Sequence, residues 1–356
     1  MKRKSSVTKS LTFMFPDKAV GRLVDIDRHE SPTERLVGAY ELKNKGWTIF
    51  ISDSRWHGKS GLIRRKLKRF FEIPNFKTLK DWRFSSCIVV KDNLSLILTL
   101  SAKILRKKII YLDATFGIPK RRLKVLSTLL NFILADHVIM FSSYQKDLWA
   151  KKFNLRSDKV SSLWYSMDLS FYPRLGLKEI NDKIKILSVG RDVGRDFKTL
   201  ISAAGRVECE LVIVTLPYLI NRDFYCDNNI KIIERIPYTE LFELYSQSNV
   251  TVVPLVCGIS YPSGIRAVME SMLLGVPVIA ARTPVLEEYF LDGKEIIFYE
   301  PEDQDMLVES LRMLKKDRQL AIDLVDNARK KMEECYGMES YTNRLNEIIE
   351  NIAYKS

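Results

Sequence analysis

The chain has 356 residues, 46 % of them hydrophobic and 28 % charged, with only 15 glycines and 12 prolines. This excludes disordered, collagen-like and low-complexity classes, and the length suits two domains of roughly 150 to 180 residues. The net charge of +13 is unevenly held: residues 1–180 carry 36 Lys and Arg against 16 Asp and Glu, residues 181–356 carry 21 against 28. A positive field confined to one half points to an anionic partner, whether membrane headgroups, an acidic acceptor or nucleic acid.

Five scattered cysteines without a C-x-x-C pair, and three distant histidines, argue against a disulfide framework and a metal centre. No apolar stretch reaches the roughly 18 uncharged residues of a membrane span. The basic start, Met1–Ser5, is not followed by a signal core, so a cytoplasmic chain is expected.

In chain order, Leu11–Phe15 reads as a first buried strand, Glu34–Asn44 as a helix ending at Gly46, and Trp47–Ser52 as a second strand. Strands at Cys87–Lys91, Lys108–Leu112 and His137–Phe141 alternate with helices at Ser95–Leu105 and Leu123–Ala135. After a polar connector the alternation resumes from Lys183–Val189 to Ile296–Tyr299, and three helices follow, ending with Ser340–Ile352. Such alternation predicts an α/β chain with two doubly wound, Rossmann-like units and ligand in the cleft between them.

Gly58-Lys59-Ser60 lacks the glycine a P-loop needs, since Asp53 stands five residues before Gly58, and no G-x-G-x-x-G follows the first strand. Two segments carry more. In Tyr261–Pro277 (YPSGIRAVMESMLLGVP) a small-residue loop with Ser263 and Gly264 opens a helix, whose exposed amides suit a diphosphate. Glu270 lies in that helix, where a carboxylate can accept from both ribose hydroxyls; alternatively it is an ordinary solvated glutamate. In Gly190–Lys198 (GRDVGRDFK), Arg191 and Arg195 stand on a strand-to-helix turn and can fork onto phosphate oxygens. In the other reading they pair with Asp192 and Asp196 at the surface.

Together these segments resemble the GT-B glycosyltransferases of family 4, also called group 1, most densely over residues 183–299. SVGRDVGRDFKTLISAA is similar to that family's phosphate-binding turn, with Arg191 on its arginine, Arg195 on its usual lysine and Gly190 in the turn. IPYTELFELYSQSNVTVVP resembles the nucleobase segment, placing Ile236 and Leu241 near the base. GIRAVMESMLLGVPVIA resembles the helix bearing the second glutamate of E-x7-E, here Glu270; the first falls on Pro262. The family's active-site histidine has no match, and Leu112-Asp113-Ala114-Thr115 lies there instead.

The resemblance implies a GT-B fold with an acceptor-binding domain at 1–178, a nucleotide-sugar domain at 179–335, and a C-terminal helix at 336–356 returning to the first. It implies transfer of a hexose from a UDP- or GDP-sugar, with no cofactor and no metal. Arg191, Arg195 and the amides near Gly264 would steady the departing diphosphate. A retaining route needs no side-chain base; an inverting one would use Asp113, otherwise a structural residue.

His57–Phe71 interleaves six Lys and Arg with five large apolar residues, and Arg106–Lys108 and Lys120–Arg122 extend the basic patch. That pattern suits anionic lipid, hence an enzyme peripheral on the inner face of the plasma membrane. Its acceptor would be a lipid-linked or glycan acceptor of cell-surface polysaccharide, lipopolysaccharide or glycolipid synthesis. The alternatives are a basic nucleic-acid-binding protein, for which no ordered aromatic motif appears, and a GT-B nucleotide-sugar epimerase.

Overall fold

The structure, a computed structural model, describes residues 9–16, 19–53, 74, 76–91, 95–112, 118–119, 121–180, 182–220, 229–234 and 236–354. The chain divides into two compact units, residues 1–166 with 338–356, and residues 167–337.

The first unit runs β1 (Ser10–Phe15), α1 (Ala19–Asp27), β2 (Thr48–Asp53), α2 (Phe76–Phe84), β3 (Cys87–Lys91) and α3 (Leu96–Ile104). It continues with β4 (Lys108–Leu112), α4 (Arg122–Leu134), β5 (His137–Met140), α5 (Ser143–Phe153) and β6 (Val160–Ser162). All six strands are parallel, in the order β2-β1-β3-β4-β5-β6. Side chains alternate across the sheet, so Leu11, Phe13, Cys87 and Val89 enter one core, and Met14, Ile88 and Val90 enter the other. Near-continuous apolar strands are what a sheet covered on both faces requires. The last helix, α12 (Met338–Tyr354), puts Tyr341, Leu345, Ile348 and Ile349 into the first of these cores.

One expected helix is absent. Residues 34–44 form two 3-10 turns, Thr33–Leu36 and Glu41–Lys45, because Val37 and Gly38 between them take positive φ of 47° and 86°. A Cβ at Gly38 would press on Leu345 at 3.0 Å and Tyr341 at 3.1 Å. The break lets α12 approach the backbone there. Helices α1, α2 and α5 and strand β6 were not foreseen from periodicity; α5 is capped by Ser142, whose hydroxyl accepts from Gln145 N at 3.0 Å.

The second unit runs β7 (Ile184–Val189), α6 (Phe197–Ala204), β8 (Cys209–Val214), β9 (Ile230–Ile233), α7 (Tyr238–Gln247) and β10 (Val250–Val253). It closes with α8 (Ile265–Leu274), β11 (Val278–Ala281), α9 (Pro284–Tyr289), β12 (Ile297–Tyr299), α10 (Gln304–Lys316) and α11 (Arg318–Cys335). The sheet order is β12-β11-β10-β7-β8-β9, again all parallel. From β7 the chain builds outward through β8 and β9, then returns to β10 on the other side. The order therefore reverses between β7 and β10, and the loops at their carboxyl ends flank the crevice where such sheets bind ligands. Those loops hold residues 190–196 and 254–264, the two segments singled out above.

Candidate functional site

The loop after β7 is tied to the loop after β10. Asp196 N donates to Pro254 O at 3.2 Å and Val256 N to Gly194 O at 3.0 Å. The Asp192 carboxylate gathers the turn: it accepts from Gly194 N at 3.1 Å, from Ser263 Oγ at 2.5 Å and from Arg195 Nε at 2.9 Å. Burial pushes the Asp192 carboxyl up, but the Arg195 charge, the Ser263 hydroxyl and the Gly194 amide outweigh it and hold it below the usual aspartate range.

Arg195 is the centre of this arrangement. Its side chain is only 4 % exposed while that of Asp192 is 35 % exposed, so the pair is set into the turn from the arginine side and is not the surface pair considered from sequence. Two glycines make the slot. A Cβ at Gly190 would fall 2.2 Å from Arg195 Nε, and one at Gly264 would meet Val253 Cγ1 at 2.7 Å and Arg195 Nη1 at 3.5 Å. Arg195 Nη1 is buried without a hydrogen-bond partner. It lies against Gly264, the N-cap of α8, which has φ 77°, no side-chain cap and no acid in the first turn. A buried guanidinium corner beside an uncapped helix start is a site prepared for an anion.

Further into α8, Glu270 is buried and not solvated. Its Oε1 lies 2.9 Å from Arg266 Nε and accepts from Tyr172 OH at 3.4 Å. Arg266 also reaches the Tyr238 hydroxyl and stacks over the Tyr238 ring. Phe171, Tyr172, Tyr238 and Phe242 pack edge to face or tilted, with centroids 5.1 to 6.0 Å apart. Glu270 is therefore a carboxylate set in a partly aromatic wall beside a paired arginine, whose opposite charge offsets the cost of burying it.

The remaining expected residues divide. Arg191 is exposed, and its Nη2 donates to Glu234 O at 3.4 Å near the end of β9, whereas Arg195 faces α8; the two arginines diverge. Ile236 is half-buried just before α7, and Leu241 is buried in the first turn of α7. Asp113, Lys120 and the whole of residues 57–71 lie outside the described residues. Sequence reasoning missed Arg266 and Tyr172. The i,i+4 spacing of Arg266 and Glu270 was a usable signal; nothing local marked Tyr172, 98 residues from Glu270.

Two loops at a sheet's switch point and an anion slot at a helix start are the features with which doubly wound α/β units hold phosphate-bearing ligands. Residues 176–331 match the family model for glycosyl transferases group 1. Solved structures agree on the fold. A glycosyltransferase from Rickettsia africae is 14 % identical over 98 % of this chain and 100 % of its own, with a TM-score of 0.71. HepE of Anabaena, in complex with UDP and glucose, is 13 % identical over 96 % and 100 %, with a TM-score of 0.70. A sucrose-phosphate synthase from Thermosynechococcus elongatus is 15 % identical over 96 % and 98 %, with a TM-score of 0.68. No curated protein matches the chain. Residues 176–331 thus carry the group 1 glycosyl transferase match, within a chain whose fold is that of the GT-B glycosyltransferases.

Proposed function

We propose that this enzyme transfers a hexose from a UDP- or GDP-sugar to a membrane-associated acceptor, with retention of configuration and without a metal ion. The observation that carries the donor side is the buried Arg195, whose Nη1 is unpartnered between Gly190 and the uncapped start of α8. In this reading Glu270 takes the ribose hydroxyls, Ile236 and Leu241 line the base, and the diphosphate sits at Ser263 and Gly264. The Anabaena neighbour binds UDP and UDP-glucose, which favours a uridine donor.

As the bond from the anomeric carbon to the diphosphate oxygen breaks, negative charge gathers on the leaving group. Arg195 and the α8 amides are fixed before that charge appears, so they need little reorganisation to stabilise it. Arg191, exposed on the same turn and directed to the end of β9, adds only longer-range positive charge. The retaining route asks no side chain to deprotonate the acceptor at a distance; the inverting route would give that work to Asp113. The acceptor belongs to cell-surface polysaccharide, lipopolysaccharide or glycolipid synthesis on the cytoplasmic face of the membrane. The positive charge of residues 1–180 supports this, and no helix among the described residues is long and apolar enough to cross a bilayer.

A thermal-shift panel of UDP-, GDP- and ADP-sugars tests the reading. Stabilisation by a uridine or guanosine diphosphate sugar, undiminished by EDTA, is the expected outcome. No shift with any of them, or a shift abolished by chelation, would overturn the donor assignment.

A further inference from the structure

We propose that the outer face of α2, α3 and α4 is a seat for an anionic lipid bilayer. It deepens the membrane-associated reading above, on residues apart from the 57–71 segment.

The three helices cover one face of the first sheet. Trp82 of α2, Leu98 and Ala102 of α3 and Phe132 of α4 all enter the same core. The end of α2 is fixed to the α3–β4 turn, where Lys107 Nζ donates to the carbonyls of Arg83 and Ser85 at 3.1 and 2.9 Å.

These helices also bury polar side chains and expose apolar ones. Between α3 and α4 the inward positions include Thr99 and Asn131, joined by a hydrogen bond of 2.7 Å. Outward, α4 repeats Leu123, Leu126 and Ile133 at helical spacing, with Leu123 75 % exposed. On α3, Ile104 is 81 % exposed, and on α2 Phe76 is 85 % exposed. Single exposed leucines need no explanation, but large apolar side chains exposed on each of three helices that cover one sheet face are hydrated at a cost.

The charge around this surface names the occupant. Lys77, Lys80 and Arg83 stand exposed on α2, and Arg121, Arg122 and Lys124 at the start of α4. Among the described residues from 76 to 134 the sole carboxylate is Asp81, and it is buried. Apolar side chains rimmed by cations, with no exposed acid among the described residues from 76 to 134, complement anionic headgroups over an acyl layer. A second copy of the chain would bring the same cations against each other, which opposes self-association through this face.

Two variants of the full chain separate the contributions. One carries Leu123→Gln, Leu126→Gln and Ile133→Gln; the other carries Arg121→Gln, Arg122→Gln and Lys124→Gln. Co-sedimentation is measured with vesicles of phosphatidylcholine mixed with phosphatidylglycerol, and with phosphatidylcholine alone. Wild type should sediment with the mixed vesicles only and detach as salt rises. The apolar variant should lose about tenfold of its binding, and the charge variant about a hundredfold at low salt. Both should keep the wild-type thermal transition and UDP affinity, because every replaced side chain is exposed and lies outside the nucleotide unit. Wild type that ignores the mixed vesicles, or variants that bind as wild type does, overturn the proposal. So does a wild-type dimer dispersed by the leucine changes, or duplex DNA bound through the charged set alone. UDP binding is read separately, so a lipid failure leaves the donor assignment standing, and the reverse also holds.

Discussion

In the first unit, the helix after the opening strand has its leading amides already taken. Ala19 N donates to Asp53 Oδ1 at 2.6 Å and Val20 N to Asp53 Oδ2 at 3.3 Å, so a carboxylate from the end of β2 sits where a ligand anion would. In the second unit the helix after β10, α8, starts at Gly264 with no such cap and with Arg195 Nη1 unpartnered beside it. The same parallel topology thus yields one helix start neutralised from within and one left open to an outside anion. A shared fold does not share its sites; the local donors and acceptors decide which switch point binds.

That contrast can be broken most severely at Arg195. Arg195→Ala should lower turnover by about 10² to 10³, the loss seen when one fixed donor to a developing anion is removed. Full activity of the variant on every accepted donor sugar would show that the open helix start is not the diphosphate site.

Glu270→Ala should weaken nucleoside diphosphate binding by about 1.5–3 kcal/mol, measured by calorimetry. Because Arg266 loses its partner too, Glu270→Gln, which keeps the side-chain shape, should retain part of the affinity. Equal affinity across wild type and both variants would remove Glu270 from the site.

The mirror experiment is Asp53→Ala. It should cost about 0.5–2 kcal/mol of stability through the lost α1 cap and leave nucleotide affinity as in wild type. A changed affinity would mean that the first unit's helix start contributes to the donor site after all.

The smallest effect is in acid, and it separates the units by pH. His137 is buried in β5, with Nε2 2.9 Å from Ser161 Oγ, and burial lowers its pKa. The unfolded chain then takes up a proton first as pH falls below about 6.5, so the first unit loses stability from there downward. In the second unit Asp192 is held below the ordinary carboxylate range, so its contribution persists until pH falls below about 4. All five tryptophans lie within residues 1–166 and report the first unit alone. Their thermal transition should move down as pH falls below about 6.5, and His137→Gln should flatten it. A flat profile in wild type would dismiss the buried histidine as the cause.

Much of the second unit is legible in the amino-acid sequence. Ile265–Leu274 and Arg318–Cys335 are helices with the bounds that periodicity indicates, and the glycine at 264 marks the open helix start. Apolar spacing and a glycine are local signals, and α8 needs only local signals to form. Short amphipathic pieces such as α1 and α2 escape because nine residues of mixed polarity carry little periodic signal. The helix expected at 34–44 fails for the opposite reason: its local pattern is adequate, but α12 pressing on Gly38 overrides it.

By itself, then, the amino-acid order determined the parallel α/β alternation, the charge division between the halves, and the glycine at which α8 starts without a side-chain cap. Tertiary structure decided the rest. It chose Asp192 and not solvent as the partner of Arg195, brought Tyr172 to Glu270 across 98 residues, and turned leucines of α4 outward while Asn131 went in. These outcomes depend on which strands pair and which helix faces are covered. Such contacts arise only once distant segments are packed, so no window of sequence contains them.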